Sequence, residues 1–427
     1  MGAVLVISFL VMLVLGIPIA LSIGASALLV MILSEMPLEA LPQTLFSGVN
    51  SFALVAVPFF ILAGDILAQG GISERIVAFA EATLGRIRGG LSIVAIVASM
   101  FIAAISGSGA ATTAAVGSAL LPQLKSKGYD LDFSAALVAS AGTIGVVIPP
   151  SVPMVLYAVI AGVPVSKLFM AGFVPGFLMG GILIAYALYV ARSRGYPASE
   201  EISFAAKMTL FLRALWGIMT PLLILGGIFS GYFTPSEAAA VAVVYSLFVA
   251  MFVYRAIDLK KLYTIVVNAG VTSSLIMFII ATSKIFGWQL AFYRIPDKVA
   301  STVLTLTGGM SALVYLVIVV LILIAGMFME TASALIILTP IFLPSIMKLG
   351  GNLIHFGLLM TVGLAIGMAT PPVAIDIYVA SAITGLSLEE ISRPIIPMII
   401  ALILVFLLIT YLPALSLSLP KLVYGVI

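Results

Sequence analysis

The chain has 427 residues, 63% of them hydrophobic and 8% charged, with a net charge of +3 and no cysteine. Its mean hydropathy of +1.32 excludes a soluble domain, and the lack of cysteine excludes disulfides, thiolate metal sites and cysteine nucleophiles. What remains is an all-α polytopic protein in a phospholipid bilayer, because the ten-residue alternation of a transmembrane β-barrel is missing.

The first apolar run, residues 3–33, is longer than one crossing needs and is interrupted by Gly16-Ile-Pro18. Pro18 either kinks one tilted helix or separates two short ones. The run has no basic n-region or small-residue cleavage signal and reads as a retained membrane helix. Ser34 to Phe46 carries Glu35 and Glu39, and a crossing follows from about Phe52 to Ala68. Gly70 to Gly90, with Arg75, Arg86 and Arg88, reads as an amphipathic surface segment. Two pieces then follow, Leu91–Ile105 and Ala110–Leu121, split by Ser106-Gly-Ser-Gly109. About 15 residues reach roughly 22 Å, against a core of about 30 Å. The pair therefore reads as a re-entrant hairpin over 91–121.

A broken crossing at 133–160 contains Ala141-Gly-Thr-Ile-Gly-Val-Val-Ile-Pro-Pro-Ser-Val-Pro153. Pro149 and Pro150 lack N–H groups and open the helix ladder, which lipid tolerates only where the backbone is buried or lines a polar cavity. Phe169–Tyr189 crosses again, and the polar stretch 192–213 reads as a cytoplasmic linker between a first repeat (1–191) and a second (214–427).

The second half reads as crossings at Leu215–Ser230, Ala238–Tyr254 and Val266–Phe286, then an interfacial stretch with Arg294, Asp297 and Lys298. A second hairpin over 313–346 has its tip at Gly326-Met-Phe-Met-Glu-Thr331. A second broken crossing over 356–383 holds Gly363-Leu-Ala-Ile-Gly-Met-Ala-Thr-Pro-Pro-Val373, and a last helix starts near Ile395. An ungapped offset of 222 carries Pro122, Gly128, Gly145, Pro149, Pro150 and Pro175 onto Pro344, Gly350, Gly367, Pro371, Pro372 and Pro397, so the chain reads as a duplication.

With residues 3–33 crossing twice, the linker's face carries thirteen Lys/Arg and the other face six. The richer face is expected to be cytoplasmic. Each half then has an odd number of crossings, and the repeats are inverted, as in alternating-access carriers. If Pro18 only kinks one helix, the inversion fails.

At the first tip, Ser106, Gly107, Ser108, Gly109, Thr112 and Thr113 offer hydroxyls and permissive backbone. Carbonyls ending one half-helix suit a cation such as Na+, and amides opening the next suit an anion. The competing reading is close helix packing through small residues. Glu330 and Asp376 are carboxylates in apolar runs, where an unpaired charge is costly and a functional or paired site is the default. Glu330 can instead cap a helix with Thr331 and Ser333. Asp65 reads as interfacial and structural, and the single histidine, His355, as exposed or satisfied. That histidine reading weakens a serine hydrolase with Ser108 as nucleophile, which needs a partnered base. No P-loop or dinucleotide fingerprint is present, and the basic residues read as topology rather than as a nucleic-acid surface.

Pro58-Phe-Phe-Ile-Leu-Ala-Gly64, Gly107-Ser-Gly109 with Ala111-Thr112, Ile148-Pro-Pro-Ser151, Phe233-Thr-Pro-Ser-Glu-Ala238 and Thr370-Pro-Pro-Val373 occur in order along nearly the whole chain. Together they resemble the large membrane subunit of TRAP (tripartite ATP-independent periplasmic) transporters. The resemblance implies a multi-pass protein of the bacterial inner membrane and an elevator-type mechanism. It implies sodium as the coupling ion with no other cofactor, and uptake of an organic acid such as sialic acid (N-acetylneuraminate) or a C4-dicarboxylate. The implied partners are a small four-helix membrane subunit, expected as a separate chain, and a periplasmic substrate-binding protein. It places sodium at the two tips, against Gly142, Thr143, Gly145, Pro149 and Pro150 in one half. In the other half the matching residues are Glu330, Thr331 and Ser333 with Gly367, Ala369, Thr370, Pro371 and Pro372. Carbonyls and hydroxyls near Ser106, Ser108, Gly145 and near Thr331, Gly367, Thr370 would hold the ions. A stand-alone divalent-anion/sodium symporter, a membrane-embedded hydrolase and a passive channel are the alternatives.

Overall fold

Proline and glycine punctuate a chain that is otherwise helical, as a backbone in lipid must be to satisfy its own N–H and C=O groups. The computed structural model describes residues 1–199 and 202–425. Glu200 and Glu201, inside the expected linker, and Val426 and Ile427, at the end of the expected second repeat, lie outside the described residues. No strand occurs among the described residues, and eight helices are long and apolar enough to cross a membrane.

The chain opens with α1 (Gly2–Val14) and α2 (Ile19–Leu33), which pack on one another. Gly16 takes a left-handed φ of 78° between them, so Pro18 separates two short helices rather than bending one. Next come α3 (Ala40–Val49), α4 (Ala56–Gln69) and α5 (Ile72–Leu84). The first hairpin is α6 (Gly90–Ser106) and α7 (Gly109–Ser126). The first broken helix is α8 (Leu131–Gly142), a 3-10 turn at Thr143–Val146 and α9 (Val152–Ala161). Beyond it lie α10 (Val165–Arg194), α11 (Phe204–Phe229) and α12 (Pro235–Phe248), the last started by a Thr234/Glu237 capping box with proline at its first position. A 34-residue α13 (Leu259–Phe292) and α14 (Ile295–Leu306) lead to the second hairpin, α15 (Ser311–Phe328) and α16 (Thr331–Lys348). The second broken helix is α17 (Leu353–Met368) and α18 (Ile375–Thr384), followed by α19 (Leu388–Tyr411) and α20 (Ala414–Tyr424).

Three boundaries differ from the sequence reading. Gly326 is not at a tip. It lies inside α15, where an added Cβ would stand 2.8 Å from the Leu364 carbonyl oxygen, so this glycine serves close packing. Helices α10 and α11 run into the expected 192–213 linker and leave only a short connection. Within its described part, Ser199 bonds Lys127, which also pairs with Glu81 at 2.7 Å, and the Pro197 carbonyl accepts from Tyr129 at 2.9 Å. Helices α3 and α20 have no counterpart in the sequence reading.

The broken helices lie at the centre. The 3-10 turn at Thr143–Val146 packs against α6, α7 and α17, while α9 packs against α16 and α17. Tyr157 on α9 is fully buried and donates to the Leu353 carbonyl at 2.7 Å. Its ring lies where any Cβ on Gly357 would come within 2.2 Å, so glycine is required for α9 to meet α17. Lipid tails are as apolar as the side chains, so such close backbone approaches and internal hydrogen bonds, more than hydrophobic burial, hold these helices together.

Candidate functional site

The first tip is two residues long. Gly107 turns with φ of 61°, and Ser108 caps α7 by accepting from the Ala111 N–H at 3.5 Å. Ser106 Oγ and Thr112 Oγ1 lie 2.8 Å apart, and Thr112 also donates to the Ser108 carbonyl at 2.8 Å. Gly145 closes this cluster from the broken helix: a Cβ there would stand 2.6 Å from both Ser108 O and Thr112 Oγ1. Ser106, Ser108, Thr112 and Gly145 are thus brought together. Gly142 abuts Thr113 and Gly109, and Gly107 abuts the Pro150 carbonyl. Thr143 turns inward to donate to the Ser140 carbonyl at 2.7 Å.

The second tip is Met329-Glu330. Glu330 Oε2 accepts from the Ser333 N–H at 3.1 Å and caps α16. Its side chain still reaches accessible surface in a cavity deep in the molecule. Buried Thr331 donates to Met368 Sδ at 2.6 Å, beside Gly367. Thr370 Oγ1 is spent on its own helix, on the Ile366 carbonyl at 2.8 Å, and Gly367 seals against Gly326, not against the tip. Thr331, Gly367 and Thr370 are therefore less tightly gathered than the first set. Ala369 is buried at the end of α17, just before the Pro371–Pro372 peptide, which is cis like Pro149–Pro150. His355 is buried, with Nδ1 2.7 Å from Ser416 Oγ and Nε2 3.3 Å from the Thr410 carbonyl, so it is satisfied within the packing.

Both tips face one cavity of about 370 Å³. Its polar lining is Asp65, Ser106, Ser108, Thr272, Glu330 and Ser333, with no lysine or arginine. Larger concavities occur at Arg75–Trp216 and Arg255–Lys261, but neither includes a hairpin tip or a broken helix. The sequence reading missed Asp65 and Thr272 here. Asp65 follows Gly64, whose Cβ would lie 3.2 Å from the Ser106 carbonyl. That close approach brings α4 against the tip, and only the run Ala63-Gly-Asp65 hinted at it.

A helical membrane protein with two hairpin tips and two proline-broken helices around an acid-lined cavity is built as a carrier. The described model of the tripartite ATP-independent periplasmic transporter DctM component matches residues 6–415, and the chain belongs to that family. It is a TRAP transporter large permease of the bacterial inner membrane and not an enzyme, which removes the hydrolase reading. It is 43% identical over 402 residues, 94% of each chain, to the C4-dicarboxylate TRAP transporter large permease protein DctM of Pseudomonas aeruginosa. It is 41% identical to the isethionate TRAP transporter permease protein DctMQ of Oleidesulfovibrio alaskensis, over 95% of this chain but only 64% of that longer protein. To the sialic acid TRAP transporter permease protein SiaT of Haemophilus influenzae it is 33% identical over 97% of this chain and 67% of that one. Among solved structures, the Alcanivorax borkumensis YdaH transporter shares the fold, with a TM-score of 0.64 at 16% identity over 90% of both chains.

Proposed function

We propose that this permease drives uptake of a small organic acid with a sodium gradient, binding the acid in the cavity between the two tips. The carrying observation is that the cavity is lined by Asp65 and Glu330 and by no basic side chain. At about 6 Å and an effective dielectric of about 20, each like charge repels an anion by about 3 kcal/mol. A helix N-terminus returns about 1 kcal/mol, up to ~2 in a favourable site. The dipoles of α7 and α16 therefore do not offset two carboxylates, and an anion enters with cations. Oxygen donors at Ser106, Ser108, Thr112 and Gly145, and at Thr331 with Gly367, suit sodium better than a soft metal.

The cavity is near the lower end of the range for small-molecule sites, about 300–1,000 Å³, which fits one organic acid. Relatives named for C4-dicarboxylate, isethionate and sialic acid share the anion and differ in everything else, so an organic anion is the common denominator. The partners in this reading are a small four-helix membrane subunit and a periplasmic binding protein that hands over the acid. Inverted repeats at 1–191 and 214–427, moving the tips as one elevator, provide alternating access. Supporting the duplication, Gly109 and Thr331 open the second hairpin helices, and Ser126 and Lys348 end them, each pair 222 positions apart.

The test is uptake of labelled C4-dicarboxylate, isethionate and sialic acid into proteoliposomes. It is run with and without an inward sodium gradient, and with and without binding protein. Accumulation that needs both is expected. Uptake without the binding protein identifies a stand-alone symporter, and downhill flux without accumulation identifies a channel.

A further inference from the structure

Asp376 is fully buried, and neither carboxylate oxygen has a hydrogen-bond partner among the described residues. It does not line the cavity between the tips. Helix α18 carries it against α7 and α8, so this acid from the second half sits on the first hairpin and first broken helix. Thr113 stands beside the carboxylate without hydrogen-bond geometry, and its own hydroxyl, also buried, has no partner. Thr112, Thr339, Thr361 and Thr410 return their hydroxyls to the carbonyl four residues back, whereas Thr113, like buried Ser92, Thr220, Ser273, Ser283 and Ser345, does not. Thr113 alone of these is placed against Asp376 by the contacts described. Two glycines complete the cluster. A Cβ on Gly109 would lie 3.2 Å from the Gly142 carbonyl oxygen and 3.4 and 3.5 Å from the two Asp376 oxygens. A Cβ on Gly142 would lie 3.2 Å from the Gly109 carbonyl oxygen and overlap Thr113 Oγ1.

We propose that Asp376, Thr113 and the carbonyls of Gly109 and Gly142 hold a sodium ion behind the first tip, at a site that meets the cavity between the tips only through Gly109. This rests on the sodium-driven reading above. An unpaired carboxylate at this depth is costly, and one cation meeting its charge and the idle hydroxyl resolves both deficits. The donor set carries a single negative charge with neutral oxygens, which matches a monovalent ion, whereas calcium sites gather several carboxylates. No group of three or more His, Cys, Asp or Glu that could hold a metal occurs among the described residues. The site occurs once: at the repeat offset, Met154 replaces Asp376 and Leu335 replaces Thr113. It therefore joins α18 to the first hairpin, with no twin in the other half.

The test is a sodium titration of thermal stability on the purified chain, at constant ionic strength with choline as the replacement ion. A ligand that binds only the folded state raises stability with its concentration. Wild type should be stabilised by sodium, and Asp376→Asn should flatten part of that response and raise half-saturation about tenfold or more. Thr113→Val, which loses one neutral oxygen, should raise half-saturation about fivefold; it carries the test if Asp376→Asn does not yield folded protein. Ser106→Ala perturbs the tip set and serves as the comparison. If wild type and Ser106→Ala respond to sodium and both Asp376→Asn and Thr113→Val titrate as wild type, the extra site is wrong and the tip sites stand. If wild type shows no sodium response, both readings fall. Stabilisation by micromolar calcium equal to that by sodium overturns the monovalent assignment.

Discussion

The first hairpin turns on Ser108; 222 positions later the second turns on Glu330. Each residue caps the helix that follows, and each faces the same cavity. Around Ser108 the neighbours are hydroxyls, with Ser106 and Thr112 bonded to each other and to the turn carbonyl. At the matching positions the second half has Phe328 and Ala334, and its polar contacts shrink to a threonine on a methionine sulfur. The second half adds two carboxylates, Glu330 in the cavity, where Asp65 of the first half also lies, and Asp376 behind the first hairpin. The two halves thus share their Gly/Pro punctuation and differ at the tips themselves, hydroxyls gathered at the first and a carboxylate at the second.

The glycine seams are the strongest shared feature and give the largest expected effect. A Cβ at Gly367 would lie 2.5 Å from Gly326 backbone atoms, and one at Gly145 2.6 Å from Ser108 O and Thr112 Oγ1. Backbone cannot rotate aside, so Gly367→Ala should cost about 1–3 kcal/mol of stability and abolish uptake. Gly145→Ala should be milder in thermal stability yet similarly inactive. Gly226→Ala, with nothing within 4 Å of its Cβ, should melt as wild type. Equal melting of Gly367→Ala and Gly226→Ala would refute the seam.

Glu330 separates cap from charge. Glu330→Ala removes an N-cap acceptor and should cost about 1 kcal/mol in a melt. Glu330→Gln keeps an acceptor, so it should melt within error of wild type while losing at least tenfold in sodium-dependent uptake. If Glu330→Gln transports normally, the residue is a cap and nothing more. Ser106→Ala, at the first tip, removes a hydroxyl that bonds Thr112 Oγ1 and both the N–H and the carbonyl of Ser108, each bond worth about 1 kcal/mol, and should raise half-saturating sodium roughly fivefold. An unchanged sodium dependence would leave Ser106 to packing.

Much of this frame is legible in the residues because its causes are local. Pro149-Pro150 and Pro371-Pro372 open helices wherever they occur in an apolar run, and Ser106-Gly-Ser-Gly109 between half-length apolar pieces has few other solutions. What escaped notice depends on distance in sequence. Asp65 lines the cavity because Gly64 lets α4 close on the Ser106 carbonyl, a contact with no periodic trace. Gly326 reads as a tip because glycine marks turns as often as close helix contacts, and only Gly367 on the facing helix decides which. Asp376 is marked as functional by its burial in apolar sequence, but its position beside Thr113 and Gly109 follows from α18 crossing into the other half.

The smallest effect lies outside the membrane, where α8 begins. Asp130 accepts from Tyr196 OH at 2.7 Å and from Arg194 at 2.6 Å, and these partners, Tyr196 foremost, hold its carboxyl below the ordinary carboxylate range. A depressed folded value means the contribution is complete above about pH 4 and lost as pH falls through that lower value. Asp130 is half exposed, so solvent screening holds the contribution below about 1 kcal/mol. Asp130→Asn should melt slightly earlier than wild type at pH 7, with the gap closing at acid pH and shrinking in high salt. A gap that widens on acidification would contradict the pairing.

The most direct test is a paired flux measurement in one set of proteoliposomes, counting labelled sodium and labelled acid that enter together with the binding protein present. Sodium should enter in fixed ratio with the acid, in excess of the acid's own negative charge, and acid uptake should stop when sodium is replaced by choline. Acid accumulation without accompanying sodium would contradict a cavity whose carboxylates admit an anion only in company with cations.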